Sequence, residues 1–220
     1  MTERAPQHVI AAACERFFEL HGDSHLGVGW TKSQEEADRR YEVMLGVVDA
    51  DAPVDDEPTT LLDLGCGLSH LYEHMRRTGR GGIRYSGCDL SAVFLDVSRA
   101  KHPQVEYHQV DILADAQALP AFDYVVMNGL LTMRDEVSHD AMFDYAKALI
   151  LAAFGRSRRG IAFNVMSKQV EWEREDLFHL PFDDLASFLT GEVSRHFRIR
   201  HDYGLYEYTT YVYRDPRAGA

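Results

Sequence analysis

The sequence predicts an α/β protein: a doubly wound, mostly parallel seven-stranded sheet with a C-terminal antiparallel hairpin strand and an N-terminal helical leader. Three observations predict it. Across residues 59–165, short apolar runs alternate with segments of helical periodicity, as parallel βαβ units require. Near the C-terminus two strand-like runs, 197–203 and 205–213, stand almost back to back. Tyr203-Gly204 between them is too short for a helical crossover, so the pair must be an antiparallel hairpin. The first fifty residues, by contrast, read as two helices.

Each element has its own signal. Val9, Ile10, Ala13, Phe17 and Leu20 recur at helical spacing, and His21-Gly22-Asp23 ends that helix. The loop His25-Leu26-Gly27-Val28-Gly29-Trp30 follows. Thr31 or Ser33 then caps a second helix carrying Tyr41, Met44, Leu45 and Val48. Residues 51–58, rich in acid and proline, read as a linker. Strands are expected over 59–64, 83–88, 105–110, 122–127 and 160–165, with helices over 69–78, 91–101 and about 138–154. The expected organisation is a leader over 1–50 that shares one domain with a core over 59–214.

Composition narrows the function. A chain of 220 residues suits one well-cored domain, and 45% apolar with 26% charged residues is ordinary for a soluble protein. Its longest apolar run falls far short of the roughly 18 residues of a membrane helix, and residues 1–8 lack a secretion-signal pattern. Cys14, Cys66 and Cys88 show no metal-type spacing and leave one thiol over after any disulfide, so no metal is expected and a reducing cytoplasm is the plain reading. The net charge of −12 repels a phosphate backbone. The basic groups Arg156, Arg158, Arg159 and Arg76, Arg77, Arg80 are small, so neither a nucleic-acid nor a membrane partner is expected. The acid surplus invites a cationic or amine substrate, but most such surfaces merely keep a protein soluble. No residue pattern sets an oligomeric state.

The chemistry gathers at strand ends. Asp63-Leu64-Gly65-Cys66-Gly67 closes the first strand and opens a helix. Glycines there let a ligand approach the backbone, and a helix N-terminus offers unpaired N–H groups. A dinucleotide cradle would need a third glycine where His70 stands. Gly87-Cys88-Asp89-Leu90-Ser91 ends the second strand with an acid able to accept two hydroxyls of a ribose. Asp89 could instead cap the next helix, though Ser91 serves as well. Val110-Asp111-Ile112-Leu113 and Met127-Asn128-Gly129-Leu130 close the third and fourth strands. Asp111 could accept from an adenine amine, with Ile112 against the ring. All four stops fall on the side where such sheets bind ligands.

Together these motifs resemble the class I, Rossmann-like S-adenosylmethionine-dependent methyltransferases, over about residues 59–165. The terminal hairpin resembles that family's reversed strand. The resemblance implies that Gly65, Cys66 and Gly67 pass along the methionine part, that Asp89 and Leu90 hold the ribose, and that Asp111 and Ile112 hold the adenine. Asn128 and Gly129 would meet the methionine amino group, and Asp63 belongs to the first motif. The cofactor so implied is S-adenosyl-L-methionine, and the acceptor a small molecule methylated at N or O. Outside the resemblance, Trp30 could cover the cofactor as a lid and Arg40 could clamp its carboxylate. The plainer readings are a core tryptophan and a surface arginine.

Three stretches should surround the acceptor: 130–135, 164–179 and 203–208. The middle one carries Lys168, Glu171, Trp172, Glu173 and Glu175. His179, Tyr206, Glu207 and Tyr208 are the candidates for positioning or deprotonating it, though a buried histidine and strand tyrosines are commonly structural. Transfer of another group from a sulfonium cofactor, a nicotinamide-dependent dehydrogenase and a non-catalytic binding module are the rival readings.

Overall fold

The computed structural model describes residues 5–30, 33–49 and 58–216. The expected linker, apart from Pro58, and Thr31 lie outside the described residues. Strands β1 (Thr59–Leu64), β2 (Ile83–Asp89), β3 (Glu106–Gln109), β4 (Phe122–Leu131), β5 (Ser157–Ser167), β6 (His179–Leu180), β7 (His196–Arg200) and β8 (Glu207–Tyr213) build one sheet. Helices α1 (Pro6–His21), α2 (Gln34–Asp49), α3 (His70–Arg77), α4 (Ala92–Lys101), α5 (His139–Arg156) and α6 (Phe182–Phe188) flank it.

The strand order is β3-β2-β1-β4-β5-β8-β7, with β6 beside the end of β5. Neighbours from β3 to β5 pair in parallel, and β8 runs antiparallel to both β5 and β7. The expected α/β sheet is therefore present, with β6 as an eighth, two-residue strand that periodicity cannot reveal. The order reverses between β1 and β4, and a crevice opens at such a reversal, outside the carboxyl ends of the strands.

Alternation along the strands explains the layering. Leu62, Leu64, Val125, Met127, Ile161 and Phe163 face a layer with Tyr145 and Leu149 of α5. Leu61, Tyr124, Val126 and Ala162 face the other layer, with Leu71 and Met75 of α3. The leader divides between the two. Ile10 of α1 joins the α5 layer, whereas Tyr41, Met44 and Leu45 of α2 join the α3 layer. Val28, Gly29 and Trp30, which follow α1, lie at the carboxyl end of the sheet. Gly46 lets α2 sit close, because a Cβ there would lie 2.8 Å from the Tyr211 hydroxyl.

Helix starts follow their caps. Ser33 Oγ accepts from Glu36 N at 3.3 Å, Ser91 Oγ from Phe94 N at 3.2 Å, and Ser138 Oγ from Ala141 N at 3.3 Å. The hairpin needs a correction, since its strands are shorter than expected and residues 201–206 join them. Tyr203 and Leu205 turn inward to pack with Val43 instead of extending the ladder. Tyr208 also needs one. Strand β8 lies between two neighbours and is buried at all seven positions. The Tyr208 hydroxyl donates to Leu180 O at 3.1 Å inside the core, so it does not belong with the candidate acid–base groups.

Candidate functional site

A cavity of about 400 Å³ opens at the carboxyl ends of β1 to β5 under the leader. All twelve residues expected to hold a cofactor border it: Trp30, Arg40, Asp63, Gly65, Cys66, Gly67, Asp89, Leu90, Asp111, Ile112, Asn128 and Gly129. So do His179, Tyr206 and Glu207. Gln7 and Cys14 of α1 and Tyr145 of α5 also border it. Sequence reasoning missed these three, because helix periodicity marks a buried face without saying that a cavity lies there.

The turn after β1 is shaped by glycine and braced by a carboxylate. Gly65 and Gly67 have φ of 78° and 49°, values that disfavour any side chain. Asp89 accepts from Gly67 N at 2.8 Å and from Ser91 N at 2.9 Å. One carboxylate thus fastens the glycine turn to the start of α4 and keeps lone pairs for further donors. Burial raises the Asp89 carboxyl above its ordinary range, against the pull of those N–H donors. Asp111 accepts from Leu113 N at 2.9 Å and from Gln7 Nε2 at 3.2 Å, which ties α1 to the end of β3. Asp63 is buried and accepts from the Tyr85 hydroxyl at 2.8 Å. Burial pushes its carboxyl up to about 7, with the Asp89 charge adding to the rise. His70, which occupies the third-glycine position, bonds through Nε2 to Asp23 Oδ1 at 2.7 Å.

At the end of β4 the bonds pass between side chains. Gly129 N donates to Asn164 Oδ1 at 2.7 Å, and Asn164 Nδ2 donates to Glu207 Oε1 at 2.8 Å. Arg40 Nε completes the relay at 2.8 Å from Glu207 Oε2, within an ion pair of which only 12% and 1% is exposed. Trp30 lies beneath the Arg40 guanidinium at 4.3 Å. It also covers Gly129, where a Cβ would come within 2.7 Å of the indole. Arg40 is not a surface arginine, since its ion pair is buried, while Trp30 both borders the cavity and packs against the core. Asn164 escaped the sequence reading, although an amide inside an apolar strand was its signal. Asn128 Oδ1, in the same wall, is buried without a hydrogen-bond partner.

The far half of the cavity is framed by the segments after β4 and β5, which are bonded to each other. Phe178 N donates to Thr132 O at 2.8 Å and Arg134 N to Asp176 O at 2.9 Å. Charges along the second segment pair among themselves, Lys168 with Glu173 and Arg174 with Asp176. Trp172 stands 70% and Tyr206 54% exposed at the cavity edge. His179 is buried, with Nδ1 2.6 Å from Ser167 O. The basic group at the start of β5 lies elsewhere: Arg156 donates to Leu119 O and Arg158 faces Asp123.

Residues 61–152 match the family model described as a methyltransferase domain. A protein of Mycobacterium tuberculosis, named only as a candidate methyltransferase, is 27% identical over 71% of this chain and 93% of its own length. The fold is similar to that of the magnesium protoporphyrin IX methyltransferase of Synechocystis PCC 6803, solved with bound S-adenosylmethionine. That likeness has a TM-score of 0.65 at 15% identity and covers 98% of this chain and 100% of the other. The plantazolicin methyltransferase BamL was solved with S-adenosylhomocysteine and a triazolic desmethylPZN analogue. It aligns with a TM-score of 0.60 at 11% identity, over 90% of this chain and 79% of its own.

Proposed function

We propose that this chain is an S-adenosylmethionine-dependent methyltransferase, a reading that its domain match and fold support, and that it moves the methyl group to a nitrogen or oxygen of a small-molecule acceptor in the cytoplasm. The observation that carries the reading is the convergence of four strand-end stops on one cavity that also holds an unmet buried acceptor, Asn128 Oδ1. The residues present fit the cofactor. A methionine ammonium is a donor group of the kind Asn128 Oδ1 lacks, and Asp89 retains lone pairs for two ribose hydroxyls. Asp111 with Ile112 would hold the adenine, while Gly65 to Gly67 lie along the methionine part. Asp63 sits behind that turn. Arg40 keeps N–H groups beyond its bond to Glu207, and these would reach a carboxylate under the Trp30 lid.

The leader over 1–50 and the core over 59–214 act in this reading as one unit, since the relay from Arg40 to Gly129 joins them. Three cysteines without disulfides agree with a reducing compartment. Among the described residues no helix is long and apolar enough to cross a membrane. The net charge of −12 supports a small acceptor over a nucleic acid.

Bound S-adenosylmethionine supplies an electrophilic methyl group with a neutral thioether as leaving group. What the protein must add is orientation. Holding the acceptor atom roughly 3 Å from the methyl carbon supplies on the order of 7–11 kcal/mol. Thermal-shift measurements with S-adenosylhomocysteine, NAD and decarboxylated S-adenosylmethionine test the reading. Stabilisation by the first alone is expected. Preference for NAD or the decarboxylated compound would replace it with a dehydrogenase or an aminopropyl transferase.

A further inference from the structure

We infer that His179 Nε2 takes the proton of a hydroxyl acceptor, so that the methyl transfer proposed above, on which this inference rests, is an O-methylation of a planar, apolar hydroxyl compound. The histidine is held on every side but one. Its backbone pairs with β5, Met166 opposite His179 and Ser167 opposite Leu180. Its carbonyl accepts from His139 Nε2 at 2.9 Å. Its Nδ1 lies 2.6 Å from Ser167 O, and a carbonyl only accepts, so Nδ1 carries the ring hydrogen. Nε2 is then the lone-pair nitrogen of the neutral ring. It is buried without a partner on a residue 4% exposed in the cavity wall. Buried acceptors in folded proteins almost always meet a donor, and a ligand hydroxyl is a donor of the right kind. Nε2 is sealed in this structure, so a ligand hydroxyl meets it only where neighbouring side chains of the cavity wall give way.

Two features select oxygen and a flat apolar body. A neutral amine already has the electron pair it attacks with, whereas a hydroxyl gains its nucleophile by losing a proton. No buried open carboxylate waits for an ammonium on this half, since Glu207 is neutralised by Arg40 and Asp176 is paired with Arg174. Glu171 is exposed. Around His179 the same cavity is bordered by Met133, Met166 and Leu177, with Trp172 and Tyr206 at its edge. Those two are the aromatic members of the exposed large apolar side chains among the described residues, and both border this one cavity. Exposed aromatic surface at a cavity mouth favours a planar apolar guest.

In the step so assigned, the acceptor O–H bond breaks and its proton goes to Nε2. The oxygen electron pair forms the new O–CH3 bond, and the C–S bonding pair goes to sulfur. The imidazolium keeps Nδ1–H on Ser167 O and returns the Nε2 proton to water.

The test uses 1-naphthol, 1-naphthylamine and naphthalene on the full chain saturated with S-adenosylhomocysteine. Calorimetry is expected to show 1-naphthol binding about ten-fold tighter than naphthalene, as one hydrogen bond supports, with the gap gone in His179→Phe. In turnover with S-adenosylmethionine, His179→Gln is expected to lose roughly 100-fold or more on 1-naphthol. The loss should be much smaller on the more acidic 4-nitro-1-naphthol, which needs no base; a purely structural role would lower both alike. Unchanged binding of S-adenosylhomocysteine shows that the variants are folded. Equal losses on the two naphthols, preference for the amine, or turnover of none of these compounds overturns the inference. Failure of the wild type to bind S-adenosylhomocysteine overturns the methyltransferase reading itself.

Discussion

The two halves of the cavity are built by different means. Under β1 to β3, Asp89 and Asp111 each accept a backbone N–H two positions on, from Ser91 and Leu113, and add a more distant donor, Gly67 N or Gln7 Nε2, to that local anchor. On the β5 and β8 side the partners are side chains far apart in sequence. Arg40 and Glu207 stand 167 positions apart, and Asn164 and Glu207 stand 43 apart. A half anchored in local turns can be read from a short motif even where distant partners reinforce it. A half made of distant side chains exists only when the whole chain is folded around it, and there a lost partner leaves a buried polar group unmet.

The largest test of that contrast removes one end of the ion pair. Arg40→Ala is expected to destabilise the fold by about 3–5 kcal/mol, because Glu207 is then buried and unpaired. Replacing both residues with apolar ones should cost less than removing Arg40 alone. Urea unfolding measures both, and a loss below about 1 kcal/mol for Arg40→Ala would reduce the relay to a surface-type contact.

Next comes the pH dependence of the β1 side. The Asp63 carboxyl sits at about 7 in the folded state, raised by burial from its ordinary value of 3.8. Between those values the native state holds a proton that the unfolded chain has lost. Stability should therefore fall as pH rises from about 4 to 7, then level off, by about 2–4 kcal/mol. Asp63→Asn should flatten that slope in denaturation curves taken across the window. If the two proteins show the same slope, Asp63 is ionised in the fold throughout.

Asp89→Ala tests the same side through its ligand. Cofactor affinity should weaken by about 2–3 kcal/mol, since a charged acceptor is lost and the Gly67 turn is freed. Calorimetry showing unchanged affinity in a folded variant would remove the ribose assignment. The smallest effect is expected at Arg39, whose partners are Tyr203 O at 3.1 Å and exposed Glu35 at 3.4 Å. Arg39→Ala should change stability by less than about 1 kcal/mol and leave cofactor affinity near that of the wild type. Equal behaviour of the two adjacent arginine variants would erase the distinction between a buried relay and a surface pair.

Legibility followed the distance between partners. The strand-end stops from Asp63 to Gly129 were readable because each needs a residue type that its own turn demands: glycine at positive φ, or an acid beside free N–H groups. Strand β1 fell where the apolar run placed it, over Thr59–Leu64. Asn164, Gln7 and the pairing of Arg40 with Glu207 were not readable, since their partners come from distant elements. Tyr208 misled because strand tyrosines look alike until the neighbours of β8 are known. Strand β6 and helix α6 fall where periodicity predicts no element, since two residues of strand and seven of helix are too short to repeat a pattern.

The central claim is that S-adenosylmethionine lies across the strand ends beneath a leader that closes on it. Hydrogen exchange with and without S-adenosylhomocysteine tests it most directly. Exchange is expected to slow together at Gly65 to Gly67, Asp89 to Ser91, Asp111 to Leu113, Asn128 to Gly129 and between His25 and Tyr41, while NAD produces no such change. Protection absent from the strand ends, or strand-end protection with a leader that does not respond, would contradict the account.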